Sequence, residues 1–248
     1  MKNIVLTAMV VLALAVGAQA AVIQNSDSVG SESSSGQAIT GFSTDTDLLI
    51  VGIGGMMNSL TDLVEDVTFD GTSLTPVTDS FINDGGGWGQ FAEFYYMTNP
   101  TGQGDVVWES SARCYGSVVA YAIDDVTIED VVVATSAKAD GLAGGAFSTS
   151  IETTAPSLLI DFLALDDPDA VTATSGQEIV MDTKTGDKLQ VSSVMDVEAG
   201  THTMGYTLEG DDDPGWAAHS VIAIVPEPAT MSLLAIGGLG ALLRRRRR

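Results

Sequence analysis

About a dozen short runs rich in β-branched and aromatic residues occupy the middle of the chain, each closed within a few positions by Gly, Asn, Asp or Pro. "DLLIVGI", "FAEFYYM", "GDVVWES", "GSVVAYAI", "SLLIDFLAL", "KLQVSSV" and "AAHSVIAIV" are examples. No segment between them is long enough for the helical crossover that a parallel sheet requires, so the strands must pair antiparallel. The predicted fold class is therefore all-β, a single antiparallel β-sandwich or jelly-roll-like domain over residues 38–225. Its clearest local element is a hairpin from Val67 to Val77, where Asp70 and Gly71 supply the positive φ angles of a tight turn. Only the stretch from Asn58 to Asp66 reads as a helical turn.

The runs also show a faint repetition of order. "DLLIVGIGG" near Asp47 is echoed by "SLLIDFLAL" near Ser157, and "GDVVWESS…GSVVAYAI" by "HTMGYTLEG…AAHSVIAI". No linker separates the halves, so the repetition is read as pseudo-repeated strands within one domain. Residues 21–37, with their serines, read as a disordered lead.

One cysteine, Cys114, cannot make an intramolecular bridge, so the fold rests on its apolar core. In "SARCYGSVVAYAI" its expected place is a strand, as a small apolar side chain. Residues 21–225 carry only Arg113, Lys138, Lys184 and Lys188 against 32 Asp and Glu, a net charge of −28. Such a body repels nucleic acid and anionic lipid and suits a hydrated exterior.

The two ends of the chain differ from this body. Met1 to Ala20 has a basic start at Lys2, an apolar run from Ile4 to Val16, and small residues at Ala18 and Ala20, the pattern of a signal peptide cleaved after Ala20. At the other end, Pro226, Glu227 and Pro228 precede an uncharged stretch through 229–243 and then Arg244, Arg245, Arg246, Arg247 and Arg248. The 13 residues Met231 to Leu243, as a helix, cover only ~20 Å of a ~30 Å hydrocarbon core. The arginines hold the C-terminus in the cytoplasm and leave the body outside. The prolines favour an extended, exposed segment just ahead of the helix.

Pro-Glu-Pro, a short hydrophobic helix and a terminal arginine cluster together resemble the PEP-CTERM sorting signal of exopolysaccharide-producing Gram-negative-type bacteria, over residues 226–248. The resemblance implies export by way of signal peptidase, transient anchoring in the inner membrane through 229–243, and processing by an exosortase, a membrane cysteine protease. It further implies delivery to the cell surface or extracellular matrix, with exopolysaccharide a candidate partner. The body resembles secreted bacterial β-sandwich domains in its "LLIVGIGG" strand, "VTFDGTSLTPV" hairpin, "EFYYMTNPTGQGDVVW" and "VVAYAIDDV". That likeness implies a non-catalytic structural or adhesive module. The alternative reading is a carbohydrate-binding or carbohydrate-active domain.

Chemical motifs are sparse. His202 and His219 lie in or beside late strands, but there is no Gly-x-Ser-x-Gly elbow, His-Glu-x-x-His or phosphate-binding glycine loop. Asp166, Asp167 and Asp169, and Asp211, Asp212 and Asp213, place hard oxygen ligands in loops, yet neither triplet matches the twelve-residue Ca²⁺ loop, and turn chemistry explains both. Trp88, in "NDGGGWGQF", suits either a sugar-stacking platform or a cap on the core. The expectation is no catalytic residue, no metal and no cofactor.

Overall fold

A computed structural model describes residues 21–33, 37–58, 62, 64–85, 89–111, 114–126, 131–138, 145–166, 170–185, 188–209 and 215–226. The first half contains β1 (Val22–Ser33), β2 (Gln37–Asp45), β3 (Leu48–Met57), β4 (Val64–Phe69), β5 (Thr72–Ser73), β6 (Thr75–Pro76), β7 (Ile82–Asn83), β8 (Gly89–Thr98), β9 (Thr101–Ser110) and β10 (Cys114–Asp124). The second contains β11 (Val132–Lys138), β12 (Ala146–Thr153), β13 (Ser157–Asp166), β14 (Ala170–Ala173), β15 (Glu178–Thr185), β16 (Lys188–Val197), β17 (Gly200–Glu209) and β18 (Ala217–Ile224). Every pairing among them is antiparallel, and no helix occurs among the described residues.

The strands form four sheets, where one sandwich would have two. Sheet order is β1-β10-β3-β8-β6, with β7 also on β8, and β2-β9-β4-β5 in the first half; in the second it is β11-β18-β13-β16-β15 and β12-β17-β14. The echo in the sequence is thus a repeat of topology. In each half the first strand pairs with the last, the last with the third, and the second with the next-to-last.

Three apolar layers join the sheets. Leu49, Val51, Ile53, Phe91 and Val118 meet Ile39, Phe42, Val67, Val106 and Trp108 within the first half. Leu163, Leu165 and Val191 meet Phe147, Val171 and Tyr206 within the second, beside a smaller cluster of Ile151, Leu159, Met204, Val221 and Ala223. Between the halves, Leu48, Ile50, Phe94, Val119, Tyr121 and Ile123 face Leu158, Ile160, Phe162, Ile222 and Ile224. The two central sheets are therefore covered on both faces, and for that reason β3, β13 and β18 are continuous apolar runs. An outer strand such as β12 alternates strictly, exposed then buried, because only one of its faces meets protein.

The close approach of the halves depends on glycine. A Cβ on Gly54 would lie 2.2 Å from Phe162 Cε1 and 2.9 Å from the Phe91 carbonyl, and one on Gly52 would lie 3.0 Å from Phe162 Cδ2. The Phe162 ring from β13 thus fills the space that β3 leaves by lacking side chains.

Two local expectations need correction. The lead is not disordered over 22–33, since β1 pairs with β10 from Val22↔Asp124 to Ser33↔Cys114, and Ala21 is already buried. Its polar composition is that of an edge strand with one neighbour, which sequence alone cannot separate from a loose lead. Val64 to Asp66 belong to β4, not to a helical turn, because pairing with Glu109 and Ser110 of β9 outweighs local propensity; Ser59 to Thr61 and Leu63 lie outside the described residues. The turn at Asp70 and Gly71 forms as expected, with φ of 47° and 73° and Phe69 paired to Thr72, but the hairpin expected to run to Val77 stops at Leu74, because Thr75 and Pro76 cross to pair with β8 of the other sheet.

Candidate functional site

The chain leaves its last core strand at Ile224, and the residues beyond it begin the terminal signal. Val225 is half-buried and Pro226 buried, and Pro226 forms an antiparallel bridge with Val126, itself 3% exposed in the layer between the halves. Pro226 is therefore not the start of an exposed linker, the expectation from proline chemistry alone. The bridge needs only the extended backbone that proline already favours. Ala21, the residue after the expected signal cleavage, packs in the same layer as Val126. Ala18, Ala20, Glu227, Pro228 and Arg244, Arg245, Arg246, Arg247 and Arg248 lie outside the described residues, as does 229–243. Among the described residues no helix is long and apolar enough to cross a membrane.

The sequence reading missed a polar cluster closed inside the second half. Asp161 is wholly buried, and its carboxylate accepts from Ser193 N at 2.7 Å, Ser193 Oγ at 3.0 Å and Tyr206 OH at 2.9 Å. His219, also wholly buried, places Nε2 3.0 Å from Asp161 Oδ2 and Nδ1 2.8 Å from Thr149 Oγ1. The ring thus bridges Asp161 and Thr149, and Ser136 extends the chain through Thr149. Burial first, and then the Asp161 charge, push the Tyr206 hydroxyl well above its ordinary pKa. The arrangement has the order hydroxyl, imidazole, carboxylate that nucleophilic catalysis uses, but all three side chains lie in the core with no surface for a substrate. Every acceptor and donor position named here is matched, which is the condition for keeping such groups in an apolar layer. An Asp in the middle of "SLLIDFLAL" and a His in "AAHSVIAIV" were the available signals: a polar residue within a continuous apolar run must find partners.

A second buried carboxyl sits in the first half. Glu93 of β8 shares a face with Phe91 and Tyr95 and is 4% exposed; Tyr95 OH donates to its Oε2 at 2.8 Å. Burial, reinforced by the charge of Asp62, pushes its pKa up to about 8. Asp62 is itself raised by burial.

The remaining sequence candidates do not converge on these groups. Cys114 is buried in β10, where burial raises its thiol pKa, and it packs as an apolar side chain. His202 Nε2 lies 2.7 Å from the Glu198 carbonyl, away from His219's partners. Asp166 forms an ion pair with Lys188. Asp167, Asp169, Asp211, Asp212, Asp213 and Trp88 lie outside the described residues, and among the described ones no three His, Cys, Asp or Glu are grouped to hold a metal. On the outer sheet of the first half, Asp70, Gln103, Asp105 and Glu109 line an open groove of about 550 Å³. Its wall is braced by Asp105 Oδ1 accepting from Gly41 N and Gln103 Nε2 donating to the Gly41 carbonyl, each at 2.8 Å.

Comparison with known proteins places the terminal segment and leaves the body by itself. No curated protein and no solved structure matches the chain. A family model does match: residues 225–248 are similar to the PEP-CTERM protein-sorting motif, so this chain carries the signal of an exported protein that is transiently anchored in the membrane and processed by an exosortase.

Proposed function

We propose that the chain is a structural or adhesive protein of the cell surface or extracellular matrix, delivered there by its sorting signal and without catalytic activity of its own. The observation that carries this reading is the closure of its acid–base groups. Asp161 and His219 are buried and bonded to each other, and Glu93 is buried and bonded to Tyr95, so in this reading they serve the fold. What the body offers its surroundings is a strongly acidic exterior on a rigid stack of sheets, suited to a hydrated matrix. In this reading each half follows a jelly-roll order and the two halves act as one unit. The test is to follow the full chain in its native host beside a chain lacking 225–248. Surface or matrix recovery that depends on the segment, with loss of cell aggregation or matrix cohesion in the null strain, is expected. Recovery only from the inner membrane, or an unaltered matrix, would reject it.

The groove at Asp70, Gln103, Asp105 and Glu109 favours a second reading, a carbohydrate-binding surface for exopolysaccharide. Carboxylates and an amide can hydrogen-bond sugar hydroxyls, and their charge would exclude anionic glycans. A glycan array on the released protein, repeated with Asp105→Asn and Glu109→Gln, separates the two readings. Binding to neutral glycans that both substitutions abolish would establish the second.

A further inference from the structure

We propose that Pro226 is a positioning residue of the sorting signal: docked on Val126, it fixes where the chain leaves the body, so the processing enzyme meets only the residues beyond it and the released protein keeps Pro226. The inference rests on the exosortase reading. Its support is geometric. Pro226 is buried, bridges antiparallel to Val126, and continues from β18, whose residues are all buried. Val126 belongs to the layer that joins the halves, so the dock is anchored to the core, not to a loop.

The chain length beyond the dock sharpens the consequence. Only Glu227, Pro228, Ala229 and Thr230 separate Pro226 from Met231, and four extended residues reach at most ~14 Å. A body held that close leaves little slack, and a protease needs its substrate extended and free. Exposing the motif from its first residue therefore requires Pro226 to lift off Val126, so the docked state competes with processing.

Pulse-chase of the full chain in the native host, with intact-mass measurement of the released form, tests this. The released wild-type chain is expected to end at or after Pro226. Inserting Gly-Ser-Gly-Ser between Val225 and Pro226 keeps the motif but frees it from the dock, and should shorten the precursor's half-life roughly threefold or more. A released form ending at Val225 or earlier, or an unchanged half-life in the insertion variant, overturns the proposal. Thermal melting of the full precursor in detergent supplies a readout independent of processing. Pro226→Ser should lower the melting temperature by roughly 2–6 °C while Pro228→Ser leaves it unchanged, and equal melting of both would count against the dock. If no variant is processed at all, the exosortase reading fails and the melting comparison alone decides whether Pro226 belongs to the body.

Discussion

Replacing Glu93 with glutamine should remove a loss of stability that the wild-type protein suffers as pH rises. In the folded chain Glu93 keeps its proton up to about pH 8, because ionising it would place a charge in a layer of Phe91, Tyr95 and Val51 near the negative Asp62. Once unfolded, it ionises near its ordinary value of 4.5. Below 4.5 both states hold the proton and the site is neutral toward folding; between 4.5 and about 8 the unfolded state holds fewer protons, so stability falls with rising pH, and above about 8 the loss is complete. The interval from 4.5 to about 8, at about 1.36 kcal/mol for each pH unit crossed, sets an upper limit of about 5 kcal/mol. The amide side chain would retain an oxygen to accept from Tyr95 and has nothing to ionise, so the substitution isolates this one group from the many surface acids. The assay is urea unfolding followed by tryptophan fluorescence, with buried Trp108 as reporter, across that pH window. Glu93→Gln and wild type should be nearly equal at the acid end, with the variant gaining several kcal/mol by the alkaline end. A difference between them that stays constant across the window would refute the reasoning.

Gly54→Ala should cost about 3 kcal/mol and lower the melting temperature by roughly 6–12 °C, since its Cβ meets the Phe162 ring and a β8 carbonyl at once. Phe162→Ala, which empties the same contact, should cost about 3–5 kcal/mol in chemical denaturation, and a loss below about 1 kcal/mol would mean that the halves hardly depend on this ring. Asp161→Asn should cost about 3 kcal/mol, because an amide offers one acceptor where Ser193, Tyr206 and His219 present donors to two. Asp161→Val with His219→Val should cost clearly less than the sum of the two single changes; simple additivity would show that the pair is not coupled.

The strand content, the antiparallel pairing and the Asp70-Gly71 turn were legible in the sequence because each rests on local chemistry. The echo between "LLIVGIGG" and "LLIDFLAL" was legible too, but not its meaning. A continuous apolar run identifies a strand buried on both faces only when the existence of a sheet on each side is known, and that depends on contacts between residues more than a hundred positions apart. The edge strand β1 was illegible for the opposite reason: with one neighbour in its sheet it needs few apolar residues, and polar strands look like loops. At the sorting junction the order Pro-Glu-Pro, apolar stretch, arginines was plain, whereas the docking of Pro226 depends on Val126, which no local pattern connects to it. The polar cluster was half visible. Asp161 and His219 stood out within apolar runs, but their partners Thr149, Ser193 and Tyr206 are residues of common type in ordinary strands.

Aligning the halves on their shared "LLI" explains why the repeat is imperfect where it is. Asp161 then stands where Val51 does, and Phe162 where Gly52 does; aligning the last strands on "AI" likewise sets His219 against Val118. The Asp161 and His219 differences act within a half, and the Phe162 difference acts between halves. Val51 and Val118 are fully buried in an apolar layer, so this topology needs no polar pair at those places, and the second half has accepted Asp161 and His219 at the cost of desolvating both. A buried pair of that kind fixes register, because a slip of one residue would leave a charge and four donors unmatched. Gly52 against Phe162 answers a different constraint. Two equal strands that cross at equivalent positions would bring like side chains together, and two phenylalanines there would hold the sheets apart while two glycines would leave a void. One of each fills the space, and it also makes each half complementary to the other and not to itself. The difference between Gly52 and Phe162 therefore lies where two similar sheets meet as one specific pair, whereas Asp161 and His219 specify pairing inside the second half.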